Sequence, residues 1–268
     1  MALAQFLKPT KLKFIFLLEW TVFILIQLIR GELRGLHPFL VACSPLILFY
    51  LLASGFAHLS NTHFCIAEGW KIIALGILLT TLDQFLKIMA SILIPYQSSL
   101  PIVQDWLHLS HIHNLQGSWI VSSFNLVYVS KTFLFLLVIS LILSSIFIHR
   151  YYLRTHRESF WVDLAFLGLF AGLLSWIIDM GWRGYILDFI QLPGVVAADL
   201  KDILMAIGLA SFLVEAIDNP EITFHWKGFR NEVHGLCHLS SSFIHFASSE
   251  IRKKIEDLKK LNKMDLRK

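Results

Sequence analysis

Six long runs of mostly apolar residues set the frame for this chain, at roughly Lys13–Ile29, Pro38–Leu59, Trp70–Ile94, Val121–Ile148, Phe160–Met180 and Leu200–Ile217. A helix needs about 20 such residues to cross the hydrocarbon core of a bilayer. In lipid, only helices and closed barrels satisfy their own backbone polar groups. The chain is therefore read as an all-α polytopic membrane protein of about six transmembrane helices. Its 268 residues are 56% hydrophobic and 16% charged, against about 45–50% apolar in a soluble domain. The first run contains Glu19 and lacks an Ala-x-Ala-like cleavage site, so it reads as a span and not as a removable leader.

Basic residues orient the spans. Lys8, Lys11 and Lys13 precede the first, Arg150, Arg154 and Arg157 sit between the fourth and fifth, and Arg252, Lys253, Lys254, Lys259, Lys260 and Lys263 crowd the tail. All three regions fall on one side, the cytoplasmic side by the positive-inside rule, so both termini are expected there. The connections Pro95–Gly117 and Gly181–Asp199 then lie outside. The first of these holds Pro95, Pro101, a Leu-His-Leu-Ser-His-Ile-His alternation and Asn114, which predicts a small extracytoplasmic β element. In the tail, Leu236, Leu239, Phe243, Phe246, Ile255 and Leu258 recur at helical spacing among lysines, as in an amphipathic helix on the inner surface. The net charge of +4 is accounted for by this distribution and gives no sign of nucleic-acid binding. The three cysteines, Cys43, Cys65 and Cys237, are too scattered for a disulfide framework or a metal site.

Four aspartates, Asp83, Asp179, Asp188 and Asp199, lie in or beside these apolar runs. Carboxylates there are costly and mark functional sites by default. Asp83 and Lys87 are four residues apart on one helix face, about 6 Å along the axis. They can pair, and Lys87 can also snorkel towards the outer interface. Asp179 and Arg183 repeat the spacing. Asp188 and Asp199 have no cation at such a spacing and fall in one stretch, GYILDFIQLPGVVAADL, on the outer side. Two acids next to a low-dielectric phase can share one proton, the electrostatic basis of an aspartic peptidase. Asp199 alone also fits the N-cap of the following helix.

Other chemistries are less well supported. His111 and His113 form a His-x-His that puts both rings on one face, and His108 is near, but no carboxylate or cysteine supplies a third metal ligand locally. Intramembrane acids also mark ion paths, but no inverted repeat or pair of broken helices points to a midplane site. A Gly-x-Ser-x-Gly nucleophile elbow is absent.

The succession Asp83-Gln84-x-x-Lys87, then Asn114, then Asp179 followed by Gly184-Tyr185-Ile186-Leu187-Asp188-Phe189, then Ala198-Asp199 resembles the lipoprotein signal peptidases, the signal peptidase II family. The resemblance runs from about Lys71 to Ile217. It implies a four-helix core with a small outer sheet in a bacterial-type inner membrane. It also implies an aspartyl endopeptidase that needs no cofactor or metal and removes the signal peptide of lipid-modified prolipoproteins on the extracytoplasmic side. The catalytic pair falls on Asp188 and Asp199. Asp83, Lys87, Asn114 and Asp179 take the supporting and substrate-binding positions. The chain departs from the family pattern at Trp176 and Val196, where asparagines are expected, and at Met180, where an arginine is expected; Arg183, about one helical turn on, is the candidate replacement.

The expected organisation is thus an N-terminal extension of two transmembrane helices over 1–69, a signal-peptidase-II-like four-helix core over 70–217, and a cytoplasmic amphipathic, basic tail over 218–268. The expected partners are a lipid-modified precursor peptide or transmembrane helix, and membrane lipids. Retained acids with altered neighbours leave a second function open: a relative that binds a lipidated or transmembrane helix as an assembly or chaperone partner without cutting it. A small-ion transporter is a third.

Overall fold

The computed structural model describes residues 6–62, 66, 70–115, 131–155, 159–218, 248, 249 and 252. In chain order the elements are α1 (Lys11–Ile29), α2 (Leu36–Asn61), α3 (Trp70–Leu93), β1 (Ser99–Val103), β2 (Leu107–Asn114), α4 (Lys131–Thr155), α5 (Phe160–Ile178), a π-helical turn (Asp179–Arg183), β3 (Ile186–Leu192), β4 (Val196–Ala198) and α6 (Leu200–Asp218). The amphipathic helix expected in the tail falls on residues that, apart from a few positions, lie outside the described ones.

Among the described residues, five helices are long and apolar enough to cross a membrane: α1, α2, α3, α4, and α5 taken with its π turn. They present large apolar side chains outward, among them Phe14, Leu78 and Phe133. In water such surface would drive aggregation; against lipid tails it is the expected exterior. The sixth expected span, α6, is not among the five. It carries Lys201, Asp202, Glu215 and Asp218 within its 19 residues, and it is held by protein on one whole side. The expected start of the fourth span at Val121 lies outside the described residues, where α4 is seen from Lys131 onward.

The centre of the bundle is α5, which buries Phe166, Phe170, Ala171 and Gly172 among others and packs against α3, α4 and α6. Gly168 and Gly172 form a Gly-x-x-x-Gly stripe facing α6. A Cβ on Gly168 would stand 2.4 Å from Leu204 O and 2.8 Å from the backbone N of Gly208; one on Gly208 would stand 2.8 Å from Leu169 N. The two backbones touch because neither helix carries a side chain there, the means by which helices approach closely in lipid. This contact fixes the height of α6 against α5, and so the position of the first turn of α6.

The N-terminal pair is integral to that arrangement. Phe16 of α1 and Ala53 of α2 pack with Trp161 and Leu164 of α5 and with Ile207, Ala210 and Val214 of α6. Phe23, Ile24 and Ala42 pack around Val195 and Val196 at the tip of the β3–β4 hairpin. At the far end of α5, the buried Asp163 meets His149 of α4 at 2.9 Å.

The sheet has strand order β1-β2-β3-β4, antiparallel throughout. The first two strands fulfil the expected β element. The last two were not legible as strands, because β3 lacks a clean polar–apolar alternation and β4 has three residues. The β3–β4 connection holds Pro193 and Gly194, Gly194 at φ +72°, with Val195 N donating to Leu192 O at 3.0 Å. Pro then Gly at the central positions is the signature of a type II turn. Pairing of Ile190 with Ala198 then places Asp188 across from the start of α6, beside Asp199.

Candidate active site

Three parts of the chain bring charge to one buried locus. From α3 come Asp83, Gln84 and Lys87; from the end of α5 and its π turn come Ser175, Asp179 and Arg183; from the hairpin and the start of α6 come Asp188, Asp199, Lys201 and Asp202. β2 adds Ser110 and Asn114. The side chains of Asp83, Lys87, Asp179 and Asp199 are wholly buried.

Lys87 is the hub. Its Nζ lies 2.7 Å from Asp83 Oδ2, 2.5 Å from Asp179 Oδ2 and 2.6 Å from Asp199 Oδ2. The pairing of Asp83 with Lys87 is present as the spacing predicts. Snorkelling is not: Lys87 points inward because three carboxylates satisfy its ammonium better than a distant interface could. Asp179 pairs with Arg183 at 2.6 Å, also as predicted, and Arg183 in addition donates to Gln84 Oε1 at 2.7 Å. Gln84 Nε2 donates to Asp179 Oδ1 and Ser175 Oγ, both at 3.0 Å, and Ser175 donates to Asp83.

The expectation that Asp199 has no cation nearby is overturned. Besides Lys87, Lys201 Nζ stands 2.9 Å from both carboxylate oxygens of Asp199 and 2.8 Å from Asp202 Oδ1. Local spacing hid this. An i,i+2 pair does not share a helix face, but Asp199 lies just outside the helix and folds back over its first turn. The N-cap reading holds at the same time: Asp202 N donates to Asp199 Oδ1 at 3.1 Å and Asp199 N to Asp202 Oδ2 at 3.2 Å, a reciprocal cap. Lys201 N reaches back to Asp83 Oδ1 at 3.2 Å, tying α6 to α3. The division of the four aspartates into a paired set and a separate dyad therefore fails, since Asp199 belongs to both groups.

Asp188 has a different setting. Asn114 Nδ2 donates to its Oδ2 at 3.3 Å, and Ser110 Oγ donates to its backbone carbonyl at 3.2 Å. Its Oδ1 is buried without a hydrogen-bond partner among the described residues. Leu187 and Phe189 on either side pack with Ala90, Leu86 and Tyr185. Burial pushes the Asp188 carboxyl up to about 8, outweighing the attraction of Lys201. Burial acts on Asp199 in the same sense, but Lys201 and Lys87 outweigh it and hold Asp199 below the usual carboxylate range. Carboxylate oxygens of Asp188, Asp199 and Asp202 lie within 4.8 Å of one another, a spacing that one bridging water can span.

Two groups of acids here have metal-like spacing: Asp83 with Asp179 and Asp199, and Asp188 with Asp199 and Asp202. The first already surrounds the Lys87 ammonium, and Lys201 bridges two members of the second. Among the described residues the histidines form no third group. His111 Nδ1 bonds Ile94 O at 2.9 Å, His111 Nε2 meets His113 Nε2 at 3.1 Å, and His108 is turned to Ser99.

Residues 75–218 match the family described as Signal peptidase (SPase) II. The chain belongs to the signal peptidase II family. A lipoprotein signal peptidase from Halothermothrix orenii is 26% identical over 133 residues, 50% of this chain and 86% of that protein. Two solved structures of a bacterial membrane enzyme obtained by the in meso method are 19% and 18% identical, cover 57% and 56% of this chain and 93% and 94% of theirs, and give a TM-score of 0.46 in both cases. The matched span begins in α3 and ends with α6, so α1 and α2 precede it.

Sequence reasoning placed every candidate residue it named at this locus or against it: Asp83, Lys87, Asn114, Asp179, Arg183, Asp188 and Asp199. It passed over Ser110, Ser175, Lys201 and Asp202. Ser175 was discoverable, since it stands four residues before Asp179 on the same face of α5. The signal for Lys201 was a lysine opening an apolar run directly after an acid.

Proposed function

We propose that the protein is an aspartyl endopeptidase that removes the signal peptide of lipid-modified prolipoproteins, with Asp188 and Asp199 as its catalytic pair. The observation that carries this is the pair itself. Two carboxyls from different elements come within 4.8 Å, one pushed up to about 8 and the other held low. That separation of acid and base is what general acid–base hydrolysis requires at neutral pH.

In this mechanism Asp199, ionised, takes a proton from a water lying between the pair. The resulting hydroxide adds to the scissile carbonyl carbon, and neutral Asp188 gives its proton to the carbonyl oxygen. Asp199 then passes its proton to the leaving amine nitrogen as the C–N bond breaks, and Asp188 recovers a proton from the diol as the new carboxyl group forms. Both carboxyls return to their starting states. Asn114 orients Asp188; Lys87 and Lys201 hold Asp199; Asp83, Asp179 and Arg183 hold Lys87 in register. On this reading the sheet and the hairpin face the extracytoplasmic side, and α6, packed along α5, returns the chain through the bilayer so that both ends lie in the cytoplasm. The helices of 1–69 buttress the 70–217 core through α6 and the hairpin tip.

The test is cleavage of a purified, lipid-modified precursor by the protein in proteoliposomes, with Asp188→Asn and Asp199→Asn alongside. Cleavage by the native chain and by neither variant supports the peptidase. Processing that survives in both variants overturns it.

Trp176 favours a second reading. It stands on α5 one turn before Asp179, where the family pattern has a smaller amide. In that reading the chain binds a lipidated or transmembrane helix without cutting it. Specific co-purification of one membrane partner, with no cleavage of any lipidated precursor, would support it.

A further inference from the structure

We propose that Lys201 is a positioning residue that fixes which member of the Asp188–Asp199 pair carries the proton, and so sets the direction of proton flow in the reaction. This rests on the peptidase reading above and deepens it.

The geometry makes the two acids unequal. Asp199 has two ammonium groups against it, Lys87 at 2.6 Å and Lys201 at 2.9 Å. Asp188 has only the neutral amide of Asn114 at 3.3 Å, and no cation lies within ion-pair distance of it among the described residues. Lys87 cannot create this inequality alone, because it divides its charge among Asp83, Asp179 and Asp199. Lys201 has Asp199 as its one wholly buried partner at ion-pair distance; its other, Asp202, is 46% exposed, and Asp188 feels Lys201 only from farther off.

Lys201 is also held in place. Its side chain is 4% exposed, its backbone N is bonded to Asp83 at 3.2 Å, and the reciprocal cap between Asp199 and Asp202 locks the turn it sits on. Val196, three residues before Asp199 on β4, offers that carboxylate no polar group; Lys201, two residues after it, does. The charged groups around it are Asp83 and Lys87 from α3, Asp179 and Arg183 from the π turn, Asp188 from β3, and Asp202 on α6 itself; Glu19 of α1 acts on Asp202. Among the buried groups, Lys201, Lys87 and Arg183 match the charges of Asp83, Asp179 and Asp199, and the half-exposed Asp202 adds one negative charge at the edge, which further favours a neutral Asp188.

The experiment is the pH profile of kcat/KM for precursor cleavage in proteoliposomes, paired with infrared titration of the protonated-carboxyl stretch in the same preparations. The variants are Lys201→Met, Lys201→Arg, Asp202→Asn and, as band assignment, Asp188→Asn. In the native chain a carboxyl band should titrate near pH 8 and vanish in Asp188→Asn. Lys201→Met should move both limbs of the profile, and the band, to higher pH by about one unit or more, which is about tenfold in kcat/KM on the acid limb. Lys201→Arg should restore most of the native profile. Asp202→Asn removes a negative charge and should move the basic limb the opposite way; it carries the test if Lys201→Met does not accumulate.

Lys201→Met with unmoved limbs and band overturns the proposal, as does equal loss in Lys201→Met and Lys201→Arg without any shift. If the native chain cleaves nothing yet the band shifts as stated, the peptidase reading fails while the electrostatic role of Lys201 stands. If it cleaves and no variant shifts, the reverse holds.

Discussion

Asp199 joins two helices with its two carboxylate oxygens: Oδ1 accepts from Asp202 N at 3.1 Å in the cap of α6, while Oδ2 lies 2.6 Å from Lys87 Nζ of α3. One residue thus fixes the start of α6 and the charge at the centre of the site. Removing Lys87 would leave Asp83, Asp179 and Asp199 buried without their shared counter-charge. Lys87→Met is expected to lose activity and to destabilise the fold by about 3–5 kcal/mol, the cost of breaking a buried ion network on one side. Lys87→Arg should not rescue it, since a flat guanidinium cannot replace a point charge ringed by three carboxylates. Thermal unfolding in detergent, read beside precursor cleavage, checks both.

Asp188→Asn and Asp199→Asn should both abolish cleavage, as the proposed catalytic pair, yet differ in stability. At neutral pH Asp188 is uncharged, so its amide isostere removes no ion pair and the variant should unfold near the native temperature. Asp199→Asn leaves Lys87 and Lys201 one anion short and should unfold markedly earlier. Each should lower kcat at least about 100-fold, the lower end of what general acid–base groups contribute. Equal melting temperatures for the two variants would contradict the charge assignment.

The pH dependence of stability has a definite sign. The Asp188 carboxyl is raised from its ordinary value to about 8 by burial. Between those values the folded protein binds a proton that the unfolded chain has released. The contribution of Asp188 is therefore fully present below about pH 4 and is lost as pH rises through about 8. Native melting temperatures should fall across that window, and Asp188→Asn should flatten the slope. A native curve parallel to that of Asp188→Asn from pH 5 to pH 9 would refute the shift.

Much of this was legible in the sequence because long-range helix packing leaves local traces. The apolar runs gave the spans, and Asp83 with Lys87 and Asp179 with Arg183 announced themselves by i,i+4 spacing. Strands β3 and β4 were hidden, since Ile186–Leu192 is mostly apolar on both faces and lacks a clean in–out alternation, and β4 is only three residues long. The gathering of Asp83, Asp179 and Asp199 on one lysine was also invisible. It depends on α3, the π turn and α6 meeting at one height, which no periodicity encodes. The role of Lys201 was masked by the same fact, because its partner lies outside the helix it opens.

The height at which those elements meet depends on two glycines. Gly168 and Gly208 let α5 and α6 touch backbone to backbone, and a Cβ on Gly168 would lie 2.4 Å from Leu204 O, which cannot swing aside as a side-chain end could. Gly208→Val should push the helices apart, lift Asp199 from Lys87, and cost about 1–3 kcal/mol of stability or more through overpacking. Activity should fall further than stability, because catalytic groups tolerate little displacement. Gly55 on α2 supplies the contrast: a Cβ there meets nothing within 4 Å, so Gly55→Ala should be neutral or slightly stabilising through helix propensity. Paired melting and cleavage assays on the two variants separate helix contact from glycine loss as such. If Gly208→Val cleaved and melted like Gly55→Ala, the α5–α6 contact would not be what positions Asp199.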